Sequence, residues 1–391
     1  MKWISVASRA ENLHDALGQC IDELRAGLGV EPDLAFVFVS EQHRAFYGTV
    51  PGRLARALPQ ACIVGCSASG VIGGGHEIEN GAAVAITAAS LPGVGLRARW
   101  LRAGDLPPAD GSMLRWQSVL GVAASEVRAF VILADPFGFP TEQFVSALER
   151  TYPAAVKIGG LASGMQAPRE GALYVDGEVR REGAVCLALS GDVEIETRVA
   201  QGCRPIGQPM FVTRSLGSRL LALDGQPPLA VLESLYRTLP ERDRELLQHS
   251  LFLGIAMRPA GQEYRQGDFL IRNLVGAERD SGALLVGADL SECKVVQFHL
   301  RDAQTSAYDI DRVLADLAPA GRTAAGALLF SCTGRGERLY RTPDHDSGVL
   351  RRYAGELPLG GFFCNGEIGP VGGTAFLHGY TSAFGIFRAR G

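Results

Sequence analysis

Residues 63–70 read IVGCSASG, and residues 157–164 read KIGGLASG. Each copy lies downstream of an apolar run typical of a buried strand, AFVFVS (35–40) for the first copy and AFVILAD (129–135) for the second. Between run and copy, the sequence pattern indicates a helix in both cases. Because each copy ends in Ser-Gly, we interpret it as a strand that ends in a tight loop.

The two copies sit in equally spaced surroundings. The number of residues from Ser40 to Gly65 equals the number from Ala134 to Gly159, and a further apolar run follows each copy, GAAVAITAA and then GAVCLALS. Equal spacing, matching words and matching order indicate an internal duplication. The sequence therefore predicts an α/β protein with internally duplicated strand–helix–strand–strand units, which form mixed sheets with outer helices.

A third, looser unit lies near the C-terminus. It contains the strand-like runs GALLFSC (326–332) and SAFGIFR (382–388), with GFFCNGEIG (361–369) between them in the position of the glycine loop. We expect the three glycine loops to gather around one small-molecule pocket.

A stretch rich in Gly and Pro, QGCRPIGQP (201–209), is the best candidate for a domain boundary. It divides the chain into an N-terminal domain over 1–205 and a C-terminal domain over 206–391. The N-terminal domain contains the duplication, and an amphipathic helix over 10–28 leads into it.

The composition excludes several classes of protein. The chain has 391 residues, of which 47% are hydrophobic and 20% charged, as in an ordinary globular protein. A net charge of −4 argues against a nucleic-acid surface. No apolar segment has the length of a signal peptide or a membrane span, so we expect a cytoplasmic protein without a membrane anchor. Its 8 cysteines include no CxxC pair, which argues against a zinc ribbon and indicates reduced thiols.

The duplicated loops are candidate ligand-binding segments. Small residues let backbone N–H groups approach a ligand closely, and glycine permits the positive φ that such loops need. Hydroxyl groups add further contacts. The alternative is a turn that is small only for packing. The candidates here are Cys66, Ser67, Ser69, Gly70, Ser163 and Gly164.

A second candidate segment, SCTGRGERLY (331–340), directly follows a predicted buried strand. Pockets in sheet-and-helix proteins often lie at the carboxyl ends of strands. We expect Arg335 to meet an anionic group of the ligand and Cys332 to line the edge of the pocket. Thr333 and Gly334 complete the segment, which lacks the pattern of a phosphate-binding P-loop.

The third segment, FFCNGEIGPVGG (362–373), supplies the remaining loop candidates. Glu367 is interpreted as an acceptor for an amine, because a buried carboxylate needs a partner. Elsewhere, Arg272 sits at the edge of an apolar strand and His378 precedes the last strand. The further candidates in the segment are Cys364, Asn365 and Gly366.

Two alternative chemistries remain open from the residues alone. Cys332 or Cys364 could act as a thiol nucleophile with His378 as its base, as in a cysteine-dependent hydrolase, although no local signature of such an enzyme is present. His76, His299 and His378 are candidate haem ligands without a CxxCH motif. The expectation is that the protein is not an enzyme and has no cofactor.

Several of these stretches resemble the FIST family, whose members are small-ligand sensory modules of bacterial signalling proteins and of a eukaryotic F-box protein. IVGCSASGVIGGG and GAAVAITAA resemble the N-terminal FIST part over about 32–220. FLIRNLVGAERDSGALLVGADL, LLFSCTGRG and GFFCNGEIGPVGG resemble the C-terminal part over about 225–385.

The resemblance implies a sensor that binds a small metabolite, such as an amino acid, and signals its presence. Because the two FIST parts take up nearly the whole chain, output is expected through a separate protein such as a histidine kinase. The family also implies an alternative, a haem-dependent nitric oxide sensor beside such a kinase.

Overall fold

The fold is that of a computed structural model, which describes residues 1–108, 111–258, 263–317 and 324–390. The chain forms two compact units. Unit 1 comprises Met1–Val199, Ile310–Leu377 and Thr381–Gly391, and unit 2 comprises Ala200–Asp309 and His378–Tyr380. The chain thus enters unit 2 at Ala200, close to the predicted boundary, and returns to unit 1 at Ile310.

Unit 1 contains strands and helices in a repeating order. Its strands are β1 (Lys2–Ser8), β2 (Leu34–Ser40), β3 (Cys62–Ala68), β4 (Val71–Gly73), β5 (His76–Ile78), β6 (Val84–Ser90), β7 (Val94–Leu101), β8 (Val127–Ala134), β9 (Val156–Leu161), β10 (Leu173–Val175), β11 (Glu178–Arg180), β12 (Ala184–Gly191), β13 (Glu194–Gln201), β20 (Gly326–Cys332), β21 (Leu359–Cys364), β22 (Glu367–Val371), β23 (Thr374–His378) and β24 (Thr381–Arg388). Its helices are α1 (Leu13–Leu28), α2 (Val50–Ala57), α3 (Met113–Leu120), α4 (Thr141–Thr151), α7 (Ala303–Ala315), α8 (Gly336–Tyr340) and α9 (His345–Ala354), with 3-10 helices at Glu41–Thr49 and Ala103–Asp105. Helix α7 begins in unit 2 and ends in unit 1, and the strands β13 and β23 end in unit 2.

Unit 2 supplies the remaining elements. They are β14 (Cys203–Leu216), β15 (Arg219–Leu223), α5 (Pro228–Thr238), α6 (Glu241–Ser250), β16 (Leu251–Ala256), β17 (Phe269–Glu278), β18 (Ala283–Val286) and β19 (Val295–Arg301).

Three repeats build unit 1, which confirms the predicted mixed α/β fold with duplicated units. Repeat 1 runs from β1 to β6, repeat 2 from β7 to β12, and repeat 3 from β13 to β24. Each repeat contains an edge strand, a parallel pair (β2–β3, β8–β9 or β20–β21), a short hairpin and a last strand. Unit 2 lies in the chain between β13 and β20 and is therefore inserted into repeat 3.

The three repeats exchange their hairpins. The sheets have the orders β1-β6-β2-β3-β10-β11, β7-β12-β8-β9-β22-β23 and β13-β24-β20-β21-β4-β5. In each sheet the first four strands come from one repeat and the last two from another. The hairpin of repeat 1 completes the sheet of repeat 3, that of repeat 2 completes the sheet of repeat 1, and that of repeat 3 completes the sheet of repeat 2.

One glycine recurs at the same place in each parallel strand pair. A Cβ at this position would clash with a backbone carbonyl oxygen of the neighbouring parallel strand. The glycine of each repeated sequence therefore allows two strands to approach closely, in addition to any role in a loop. The three pairs are Gly65 with Val37, Gly159 with Ile132 and Gly361 with Leu329.

A single hydrophobic core lies between the three sheets. It includes Phe38 and Phe362, whose rings stack with centroids 4.9 Å apart across repeats 1 and 3. Helices cover the outer faces of the sheets, as predicted. In the first of them, α1, Asn12 caps the N-terminus and Gly29 ends the helix with a φ of 71°, so the helix starts slightly later than the predicted residue 10.

Unit 2 is a closed barrel with the strand order β14-β15-β18-β17-β16-β19. The stretch 201–209, predicted as a domain boundary, contains the start of the long strand β14. Pro209 is tolerated because the pairing of β14 with β19 shifts register between Ile206 and Met210.

Candidate functional site

The three predicted loops meet in unit 1. The Ser69 N–H donates to Ser163 Oγ over 2.8 Å, and the Phe363 N–H donates to the Gly70 carbonyl over 3.0 Å. The Asn365 side-chain amide donates to the Ala162 carbonyl over 3.3 Å. Since these contacts join all three repeats, the loops at the ends of β3, β9 and β21 form one cluster.

A pocket of about 670 Å³ opens beside this cluster, between repeats 1 and 3. We call it the inter-repeat pocket. It lies at the carboxyl ends of β2, β3 and β20, the end of a sheet at which α/β proteins commonly bind ligands. Its lining residues are Glu41, Ser69, Gly70, Glu79, Asn80, Thr333, Glu337, Arg338, Arg341 and Phe363.

The wall of the pocket carries both signs of charge. The guanidinium groups of Arg338 and Arg341 form no ion pair with any residue that the structure describes. On the acidic side, Glu79 accepts a hydrogen bond from the Glu337 N–H over 2.6 Å, and burial raises the pKa of Glu79. Glu41 lies 3.7 Å from the Arg44 guanidinium. Such a lining suits a small ligand that is itself zwitterionic.

Some of the predicted site residues line the inter-repeat pocket, and others are buried behind it or lie outside its lining. Ser69, Gly70 and Thr333 line the pocket directly. Ser163 is fully buried behind it and joins the loops. The residues that do not line it are Cys66 and Ser67 in the buried strand β3, Gly164, Gly334, and Asn365 and Gly366 in the loop after β21.

Arg335 does not fit the role expected for it. Its side chain is completely buried, and its Nε lies 2.9 Å from Asp346 Oδ2. Burial alone would lower the pKa of Arg335, but the Asp346 carboxylate outweighs it and holds the guanidinium charged. Because its charge is already matched inside the protein, Arg335 stabilises the loop that carries Thr333 rather than facing the pocket.

Asp346 is the centre of a buried polar network around Arg335. It accepts hydrogen bonds from Ser382 Oγ and pairs with His345 Nδ1 at 2.8 Å. Burial alone would raise the pKa of Asp346, but the charge of Arg335 and these hydrogen bonds hold it well below its usual value. Nearby Glu77 has its pKa raised to about 8, by burial and then by the Asp346 charge.

Glu367 also lies away from the pocket lining. It is fully buried, and its Oε2 accepts from the Thr381 N–H and hydroxyl at 3.0 and 2.8 Å. Burial raises its pKa to about 8, so the carboxyl is mainly neutral at pH 7. The partners of Oε2 lie within the protein, whereas the buried Oε1 has no hydrogen-bond partner among the residues that the structure describes, so a ligand amine at Glu367 stays a prediction.

The cysteines of the predicted site are enclosed. Burial raises the pKa of the Cys66 and Cys364 thiols well above the usual value, which keeps both protonated at neutral pH. The Cys364 thiol donates to the Phe362 carbonyl, and Cys332 Sγ accepts from the Gly334 N–H at 3.5 Å. Neither Cys332 nor Cys364 lines the inter-repeat pocket.

The remaining candidates belong elsewhere. Arg272 and His378 lie in unit 2, whereas every lining residue of the pocket belongs to unit 1. Of the histidines considered for haem, His299 is buried in the barrel against Phe269, and burial lowers its pKa to about 4. His76 pairs with Asp344 at 2.9 Å.

Most of the charged residues that line the pocket are not among those predicted from the sequence. Arg338 and Arg341 follow SCTGRG in the same segment, but only the orientation of α8 decides that they face the pocket while Arg335 faces Asp346. Glu79 and Asn80 come from the loop after an exchanged hairpin, so their contribution depends on a long-range pairing. The one local signal was the polar stretch GERLYR after the strand end.

The chain matches two models of protein-family domains. Residues 33–226 match the model of the FIST N domain, and residues 228–370 match that of the FIST C domain. The chain belongs to the FIST family. The two FIST domains together span the pocket residues from Glu41 to Phe363, although the boundary between them falls inside unit 2 rather than between the compact units.

Mycobacterial relatives match this FIST protein over nearly their whole length. It is 34% identical to an uncharacterized protein of Mycobacterium bovis, over 95% of this chain and 94% of that protein. It is 32% identical to an uncharacterized protein of Mycobacterium tuberculosis, over 95% of both. An F-box/LRR-repeat protein of Arabidopsis thaliana shares 29% identity over 29% of this chain and 25% of that protein.

Among solved structures, a cyanuric acid hydrolase from A. caulinodans covers 100% of both chains with a TM-score of 0.36 and 8% sequence identity. This likeness is too distant to carry an inference about chemistry. Within the described residues of the FIST protein, no helix is long and apolar enough to cross a bilayer. The same residues contain no group of three or more metal-ligating side chains.

Proposed function

We propose that this FIST protein is a sensor that binds a small polar metabolite, such as an amino acid, in the inter-repeat pocket. It would report occupancy to a separate signalling protein, such as a histidine kinase. The observation that carries the proposal is the charged and hydroxyl-lined pocket at the meeting point of the repeated loops.

The size and lining of the pocket support a ligand of this class. A volume of about 670 Å³ lies within the roughly 300–1,000 Å³ that is usual for small-molecule sites. The guanidinium groups of Arg338 and Arg341 suit a carboxylate, and the carboxylates of Glu41 and Glu79 suit an ammonium group. Ser69 and Thr333 offer hydroxyl groups to the remaining polar atoms.

The position of the pocket supports a sensory role. Ser69 belongs to repeat 1 and Thr333 to repeat 3, so a bound ligand would contact two repeats at once. A ligand that binds one arrangement of the two repeats more tightly shifts the population toward it by that difference in affinity. Such a shift is the signal that a partner protein could read.

Thermal unfolding of the full chain with a panel of the standard amino acids tests the proposal. We expect one or a few amino acids to raise Tm, since a ligand that binds only the folded state stabilises it. Arg338→Ala should reduce this shift, whereas Arg237→Ala, which removes an exposed guanidinium from α5 in unit 2, should leave it unchanged. No shift with any amino acid, or equal loss in both variants, would refute the proposal.

A further inference from the structure

Arg341 has a backbone conformation that arginine rarely adopts. It ends α8 in the left-handed region, with φ 59° and ψ 21°, and its N–H donates to the Glu337 carbonyl over 2.8 Å. Glycine is the usual residue at this position of a helix end, because a Cβ there crowds the backbone. The fold alone would therefore favour glycine at position 341.

The side chain of Arg341 explains why arginine is present despite this cost. It lines the inter-repeat pocket, and its guanidinium has no ion-pair partner among the residues that the structure describes. The other left-handed arginine, Arg169, lies outside the pocket lining and pairs with Glu182 at 3.1 Å. The buried Arg335 is likewise matched, by Asp346.

We infer that Arg341 binds the carboxylate of the ligand in the inter-repeat pocket, through the paired N–H donors of its guanidinium. This inference rests on the proposed function. Arg338 lies three residues earlier on the same short helix and lines the same pocket, so it adds positive charge beside the bound carboxylate. The left-handed backbone at position 341 accompanies the placement of this side chain in the lining of the pocket.

The test compares Arg341→Gly with Arg169→Gly, which relieves the same backbone conformation outside the pocket. Each standard amino acid and its carboxamide derivative serve as probes, in thermal unfolding and titration calorimetry on the full chain. Arg341→Gly should keep or raise the Tm of the free protein while weakening binding of the amino acids at least about tenfold. Arg169→Gly should leave that affinity unchanged, and Arg341→Lys should restore it in part.

The outcomes separate the two proposals. If wild type binds an amino acid and Arg341→Gly binds it within about twofold as tightly, the inference is wrong and the proposed function stands. If wild type binds the amino acid and its carboxamide equally well, the assigned carboxylate contact is likewise wrong. If no amino acid binds wild type, both the proposed function and the inference fall.

Discussion

The Ser69 N–H donates to Ser163 Oγ over 2.8 Å, although the two residues are 94 positions apart in the chain. The same hydroxyl donates to the Phe363 carbonyl, so one side chain links all three repeats. Both contacts are at the centre of the loop cluster, and Ser163 is fully buried. The repeated Ala-Ser-Gly of the sequence therefore fixes the repeats to one another.

Replacing this hydroxyl should weaken the fold. Ser163→Ala leaves the Ser69 N–H and the Phe363 carbonyl without a partner, which should lower the free energy of unfolding by about 1–3 kcal/mol. Urea denaturation measures the change. Ser69→Ala is the matched control, because within the described part of the chain its hydroxyl makes only the 3.3 Å contact with Ser163, and its cost should be below about 1 kcal/mol. Equal costs for both variants would contradict this account.

The strand glycines should be intolerant of a methyl group. Gly159→Ala and Gly361→Ala place a Cβ against a neighbouring carbonyl oxygen at a φ near +150°, and each should destabilise the protein by more than about 3 kcal/mol. Gly348→Ala provides the contrast, because it lies within α9 with open space around its Cα, and should stabilise by about 0.5–1 kcal/mol. A soluble Gly159→Ala variant with wild-type Tm would show that the strands do not pack as described.

The Arg335–Asp346 pair should act on stability rather than directly on a ligand. Arg335→Ala removes the guanidinium partner of a buried carboxylate, which should cost about 3–5 kcal/mol. Arg352→Ala breaks an exposed pair with Asp311 and should cost less than about 1 kcal/mol. Chemical denaturation of both variants without ligand gives the comparison. A ligand-free stability of Arg335→Ala equal to wild type would return Arg335 to the candidates for ligand contact.

Stability should fall as the pH rises above the usual carboxyl range. In the folded state Glu367 has a pKa of about 8, above its ordinary 4.5, so it keeps a proton that the unfolded chain releases. Its contribution to stability is complete below pH 4.5 and is lost as the pH rises to about 8, by up to about 1.4 kcal/mol for each pH unit. Glu77 adds a change of the same sign.

Denaturant titrations between pH 5 and 9 test this dependence. Glu367→Gln should reduce the slope of stability against pH, because a neutral amide replaces the titrating group. Glu356→Gln changes an exposed carboxylate and should leave the slope as it is in wild type. An unchanged slope in Glu367→Gln would mean that Glu367 titrates near its ordinary value.

The sequence predicts the repeats well because their signal is local. The words at 63–70 and 157–164 mark equivalent strands and loops, and the third copy at 361–369 lies in the equivalent position. The meeting of the loops follows from the placement of strand ends in such sheets.

The hairpin exchange and the charged pocket wall could not be read from the sequence in the same way. Strands β4 and β10 have 3 residues each, too few for a periodic pattern that would identify a partner sheet. The inward turn of Arg335 depends on Asp346, which lies 11 residues further on with no fixed helical or strand spacing to it. The closure of the barrel rests on pairing between strands that are far apart in the sequence, such as β14 with β19.

Each six-stranded sheet of unit 1 takes its last two strands from another repeat. No single repeat therefore contains a complete sheet. A polypeptide cut down to repeat 1 would offer its own hairpin without receiving one, leaving one strand edge unpaired. Three such polypeptides would complete their sheets only in a closed ring, in which the hairpin of each one pairs with the sheet of the next. The present chain is the covalently joined form of that ring, and the barrel occupies a loop of its third member.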